Sequence, residues 1–361
     1  MNDIEKASMR LIEQNITTHL KRGITVADVS ARTGLSFENA NAALHRLVYK
    51  YNGHISVTKN GVLIFSFPNG LKTLWSIKYL VELLRLPSDD YLNLNKLQER
   101  QKLIAVIRAN RGRIGWTDIL RVTGLEKEAI ERILADLMVQ FDGQLEVLEN
   151  GVIVYHFVAL RKTARHSPEK ITKQDKAYLK EIWHEKIQLP NFSQDTIFSQ
   201  IPITVIPLVL FTIISLMKNQ GLDASSRIAL GLCSLLVLGE YFFRAHNRKV
   251  SEQLTKRNGR YGIIEMVFQH IEMSDTISEK KLMKAYERLA KRRPSHQEIV
   301  HEIVRLGGSA MLDCQEKFHY CFAELAQEIR VLKKVRESAK IEETRLAKII
   351  FTSKNKFQSQ F

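Results

Sequence analysis

The sequence predicts a mainly α chain with small β-hairpins: two tandem copies of a small module, a two-helix transmembrane hairpin and a helical C-terminal domain. Three observations predict this. Residues 24–67 and 114–157 match without a gap, and 14 of 44 positions are identical, which marks a duplicated unit. Two apolar runs, Ile197–Met217 and Ile228–Phe243, contain no Lys or Arg. The rest of the chain, to residue 361, sets apolar residues at helical spacing between charged ones. The boundaries read from these patterns are 1–68 and 97–158 for the two modules, 69–96 for an amphipathic helix between them, 159–196 for a polar helical connector, 197–243 for the membrane hairpin and 244–361 for the C-terminal domain.

Each module resolves in the same order. A helix comes first, ASMRLIEQNITTHL in one copy and QERQKLIAVIRAN in the other. A short strand follows at Ile24 or Ile114. A second helix then starts near Thr25 or Gly115, with Asp28 or Asp118 at the third helical position. A carboxylate there meets free N–H groups at the positive end of the helix. Thr33-Gly34-Leu35 and its copy Thr123-Gly124-Leu125 make the turn, because glycine stops a helix by adopting the left-handed conformation. Ser36 caps the third helix, whose apolar stripe includes Ala40, Leu44, Leu47 and Val48. Two strands follow around Asn60-Gly61 in the first copy and Asn150-Gly151 in the second. Asn-Gly between extended runs signals a hairpin in which both residues take positive φ.

Helix, strand, helix, turn, helix, hairpin is the order of the winged helix. Over about 60 residues each, both copies resemble the winged-helix superfamily, with the TGL turn and the Asn-Gly wing as the matching motifs. Duplicated wings followed by a membrane hairpin look like bacterial membrane-attached winged-helix proteins. The resemblance implies that the third helix presents the binding face. In DNA-binding members it enters the major groove, with Lys, Arg, Asn or Gln on its outer face. The first copy offers Asn39, Asn41, His45, Arg46 and Lys50 there. The second offers Glu126, Lys127, Glu128, Glu131, Arg132 and Asp136, with Glu149 at the wing tip. Four carboxylates on one helix face repel phosphates, whose neutralisation dominates duplex affinity. The expected role is therefore protein–protein contact, with a membrane-tethered DNA-binding regulator as the alternative.

Beyond the second module the reading is one of membrane and helix. The first apolar run is long enough to cross ~30 Å of hydrocarbon at ~1.5 Å per residue. Arg244, Arg248, Lys249, Lys256, Arg257 and Arg260 follow the second run, whereas only Lys218 and Arg227 lie between the two. The positive-inside rule then gives a two-pass protein with both termini cytoplasmic, and the resemblance to bacterial membrane-attached proteins implies the inner membrane. After Gly307-Gly308 no wing hairpin is expected, so a third module would be degraded. A long helix is read from EKFHYCFAELAQEIRVLKKVRESAKIEETRLAKII.

Net charge is +15, and its excess sits in the segments around the apolar runs, where anionic headgroups attract basic side chains. The three cysteines suit a reducing compartment. Cys314, His319 and Cys321 match no zinc spacing, and no metal or cofactor is expected. No phosphate-binding glycine loop, HExxH or GxSxG motif occurs, so the chain reads as non-enzymatic. The partners expected are the lipid bilayer, a cytoplasmic protein and a further copy of the chain, with DNA on the alternative reading.

Overall fold

The computed structural model describes residues 3–16, 23–68, 94–164, 178–182, 249–271, 274, 276–312, 318–338 and 348–353. The chain divides into two compact units. The first comprises 1–184, 268–277 and 303–361, the second 185–267 and 278–302.

In the first unit the N-terminal module consists of α1 (Asp3–Asn15), a bridge at Ile24, α2 (Val26–Thr33), α3 (Phe37–Lys50) and the hairpin β1 (His54–Thr58) and β2 (Leu63–Ser66). The second module repeats the order in α4 (Leu94–Ala109), β3 (Arg113–Ile114), α5 (Trp116–Thr123), α6 (Lys127–Gln140), β4 (Gln144–Val147) and β5 (Ile153–His156). The repeat extends to single hydrogen bonds. Thr33 Oγ1 donates to Val29 O at 2.8 Å, and Thr123 Oγ1 donates to Ile119 O at 2.8 Å. Gly34 and Gly124 close their helices at φ 74° and 63°. At Gly34 the glycine has a second reason, since a Cβ would lie 2.3 Å from the Leu97 carbonyl oxygen. Helix α4 thus approaches α2 backbone to backbone, and Gln101 Nε2 donates to Arg32 O at 2.7 Å. Leu97 belongs to the first core, with Ile12, Leu44, Leu47, Phe65 and Phe67, while Ile104 and Ile107 of the same helix are fully buried further along. One helix serves two modules because its apolar residues surround it rather than forming a single stripe.

The wing turns differ from the expectation in one respect. Gly61 and Gly151 have φ of 73° and 78°, but Asn60 and Asn150 are not among the residues with positive φ. Thr58 N donates to Val62 O and Gly61 N to Thr58 O; Leu148 N donates to Val152 O and Gly151 N to Leu148 O. These are three-residue loops in which a turn ends on a left-handed glycine. Only the glycine needs positive φ.

The hairpin expected to be missing after Gly307-Gly308 is present. Following the helix over 249–271 (α7), the chain runs β6 (Thr276–Ser278), α8 (Glu279–Ala290), α9 (His296–Arg305), β7 (Ser309–Leu312), β8 (Phe318–Cys321) and α10 (Ala323–Ser338). The register is that of the other two hairpins: Ser309 pairs with Cys321, as Gln144 does with His156 and His54 with Ser66. Gly308 N bonds Ile303 O, as Gly143 N bonds Met138 O and Gly53 N bonds Val48 O. Each of these glycines lies under a phenylalanine ring, Phe67, Phe157 or Phe322, fourteen residues on, where a Cβ would come within 3.0 Å. The long helix read from Glu316 onward is therefore a strand, then α10, then after a segment outside the described residues a last strand, β9 (Ile349–Thr352). Alternating Phe318-His319-Tyr320-Cys321 buries Tyr320 and exposes Phe318, the period of a half-buried strand.

In the second unit α7 and α8 cross closely. Gly259 lies on the Tyr286 ring and Gly262 on the Ala285 carbonyl, both at distances no Cβ could share. Arg260 pairs with Glu302 at 3.0 Å and Arg288 with Glu265 at 2.6 Å.

The expected transmembrane hairpin is not supported. Among the described residues no helix is long and apolar enough to cross a membrane, and the runs at 197–243 lie outside those residues, as do the amphipathic stretch 71–86 and most of the 159–196 connector. The two-pass topology and the inner-membrane localisation rested on that hairpin and fall with it. A run of hydropathy reports composition alone and does not say whether an apolar segment faces lipid or protein. Helix α7, the longest of the described helices, carries Lys249, Glu252, Lys256, Arg257, Arg260 and Glu265. Of the basic flank assigned to the membrane surface, two residues have partners within the second unit. Arg244 and Arg248 lie outside the described residues, Lys249 and Lys256 are exposed, Arg257 lies over the Tyr261 ring, and Arg260 holds Glu302.

Candidate functional site

The five side chains of the first module's expected reading face do not form a free basic surface. Asn39 is half-buried, and its N–H is taken by the Ser36 cap at 3.4 Å. The Asn41 carbonyl oxygen is buried. His45 sits edge-on against the Phe65 ring, with centroids 5.3 Å apart. Arg46 lies 3.8 Å from Glu5. Lys50 Nζ donates to Glu13 Oε1 at 2.9 Å, and the Tyr51 hydroxyl donates to the same oxygen at 3.0 Å. Burial works to lower the Lys50 ammonium, but Glu13 outweighs it and the group is held above its ordinary range. Burial and the same carboxylate raise the Tyr51 phenol. Both cations of this face are therefore matched by acids on α1. In the second module Glu126, Glu128, Glu131, Arg132 and Asp136 are all exposed, so the outer face of α6 is acidic, as its sequence indicates.

A different set of groups comes together at the start of the second helix of each module. In the first, Thr25 and Asp28 form a reciprocal cap: Asp28 N donates to Thr25 Oγ1 and Thr25 N to Asp28 Oδ2, each at 3.2 Å. The chain just beyond the second module closes on this cap. Thr25 Oγ1 donates to Lys162 O at 2.7 Å, and Ala164 N donates to Asp28 Oδ2 at 2.9 Å. In the second module Gly115 offers no side chain, so only the carboxylate half of the cap remains, with Gly115 N donating to Asp118 Oδ2 at 2.9 Å. Helix α10 closes on this one. Arg336 Nη2 donates to Asp118 Oδ2, and Arg336 Nε to Arg113 O at 3.0 Å. Arg111 and Arg113 in turn donate to Arg336 O and Val335 O at 2.9 and 3.1 Å, where the last carbonyls of a helix want cations. Glu328, 3% exposed, reaches Thr117 N at 3.4 Å with Oε1. Its Oε2 has no hydrogen-bond partner among the described residues.

The electrostatics of this dock are those of acids taken out of water. Burial pushes the Glu328 carboxyl up to about 8, helped by the charge of Asp118 and opposed by the Thr117 N–H. Burial also raises Asp118, against the pull of Arg336 and the Gly115 N–H. Arg305, from the end of α9, adds a further tie: its Nη2 donates to Gly124 O at 3.0 Å and its Nη1 lies 3.7 Å from Glu126. Asp28 and Asp118 were legible as caps, but their second use as acceptors for downstream chain was not. A signal existed for Glu328, which falls on the buried side of α10 between Leu325 and Leu332, at the spacing of one helix face.

The third surface is the outer edge of the wings. In the first module the sheet order is β2-β1-β9, so the C-terminal strand completes the hairpin. In the other two modules the orders are β3-β5-β4 and β6-β8-β7, and the corresponding edge carries no strand among the described residues. Among those residues no three His, Cys, Asp or Glu side chains are grouped to hold a metal ion.

Compared with known proteins, the chain matches no family model, no curated protein and no solved structure.

Proposed function

We propose that the chain is a non-enzymatic interaction scaffold built from winged-helix modules whose outer edges and helix starts bind polypeptide. One observation carries this reading: the wing of the first module is already completed by a strand of protein, β9 on β1. Two further features agree. The identical residues Asp28 and Asp118 each accept a bond from a later segment of the chain, and the cations of the α3 face are matched to Glu5 and Glu13. The acidic outer face of α6 would repel a duplex.

The test is a salt titration of duplex binding by the full-length chain. Binding should be no tighter than the non-specific range of ~10⁻⁶ M near physiological salt, and Arg46→Ala should leave it unchanged. A sequence-selective footprint that Arg46→Ala abolishes would replace the scaffold with a DNA-binding regulator.

A further inference from the structure

We infer that the outer edge of β4, in the second module, docks the C-terminal strand of a second copy of this chain. The inference rests on the reading of the modules as polypeptide-binding units and names the partner at one of their edges.

The first module shows what that edge accepts. Strand β9 lies antiparallel on β1, with Ser56 opposite Thr352 and Val57 opposite Phe351. Lys59 N donates to Lys348 O at 2.9 Å, and Ile55 N donates to Ser353 Oγ at 3.0 Å. Residues 55 and 59 therefore turn their N–H groups outward, while Thr58 N turns inward to Val62 O. The second wing has the same register and the same inward bond, Leu148 N to Val152 O. By the alternation of a strand, the N–H groups of Leu145, Val147 and Glu149 face outward. Leu145 and Val147 are 49% and 62% exposed. Among the described residues this edge offers unpaired backbone groups and apolar side chains, a template for one more strand.

Charge selects the occupant. In the first module Lys348 is bonded through its backbone to Lys59, a like charge. The second module carries Glu149 at that position and Glu146 where the first has Ser56, whose hydroxyl meets that of Thr352. A strand led by Lys348 thus meets the Glu149 carboxylate at the turn of the second module, where the first offers the like charge of Lys59, and its Thr352 hydroxyl meets the Glu146 carboxylate in place of the Ser56 hydroxyl. In the isolated chain this strand is taken by β1, so docking on β4 is an exchange in which the strand of one copy leaves its own β1 for the β4 of another. β7 presents a similar edge, but its turn at 313–317 lies outside the described residues.

Sedimentation equilibrium of the full-length chain tests this. The wild type should self-associate in the micromolar range. Val147→Pro removes one outward N–H without touching the bonds to β5, and should weaken association about tenfold, as should loss of any ladder bond plus its neighbour's alignment. Glu149→Lys, on an exposed turn, should weaken it severalfold. A synthetic peptide of residues 346–355 should compete, and should bind Val147→Pro more weakly than wild type. A chain that stays monomeric to ~100 µM, or one whose association ignores both substitutions and the peptide, overturns the docking edge. That outcome, without a DNA footprint, leaves the scaffold reading standing; a footprint removes the scaffold reading itself.

Discussion

Replacing Arg336 with alanine should lower the stability of the first unit by about 1–3 kcal/mol at pH 7, the usual cost of leaving a hydrogen-bonded charge without its partner, since both members of the pair are partly buried. The substitution strips Asp118 of its cation in a site where burial already raises its carboxyl, and it removes the bond from Arg336 Nε to Arg113 O. It also leaves Asp118, whose charge bears on Glu328, without its guanidinium partner. Urea unfolding at pH 7 measures the loss. The double variant Arg336→Ala/Asp118→Asn should recover part of it, because the charge left behind accounts for most of the cost. Equal midpoints for the wild type and Arg336→Ala would show that α10 does not depend on this pair.

Glu328→Gln should stabilise the chain in alkaline solution and leave it unchanged in acid. In the unfolded chain this carboxyl titrates in its ordinary range near 4.5, and in the fold near 8. Below about pH 4.5 both states hold the proton and the site contributes its full stability. As pH rises from there, the unfolded chain has released a proton that the folded chain keeps, so stability falls by about 1.4 kcal/mol per pH unit until the folded carboxyl ionises near 8. Glutamine carries no proton to release. Its advantage should be near zero at pH 3.5 and roughly 3–5 kcal/mol at pH 8.5. The groups facing Glu328 are the Thr117 N–H and the charge of Asp118, with Arg336 and Arg113 beyond. Unfolding curves at the two pH values decide it: a constant difference between the variants, or a glutamine form weaker at pH 8.5, would mean that the folded carboxyl titrates in its ordinary range.

The sequence carried the local structure well because the duplication fixed it twice. Caps at Thr25 and Ser36 and the left-handed glycines at 34 and 124 rest on bonds between residues at most four apart, and such bonds leave residue-type signatures. The third hairpin was missed because its turn has no Asn-Gly, and because Phe318 and Phe322 happen to stand four apart, as on a helix face. There, alternation along four residues was the truer signal. The dock of α10 was not legible as a contact at all. Thr117 and Glu328 are 211 residues apart and Asp118 and Arg336 are 218 apart, so no local pattern links them. The apolar runs at 197–243 gave the strongest composition signal in the chain, yet composition alone does not say what an apolar segment packs against. In the α3 face, the residue types suited a groove, and it was the acids on α1, distant in sequence, that altered their role.

The claim on which the account turns is that wing edges in this chain bind protein strands, one of them already filled. Amide hydrogen exchange on the dilute full-length chain tests it residue by residue. Lys59 N–H, bonded to β9, should exchange slower by roughly a hundredfold or more than Glu149 N–H, its counterpart on the open edge of the second module. Equal, rapid exchange at the two positions would show that β9 does not hold the first wing and would contradict the account.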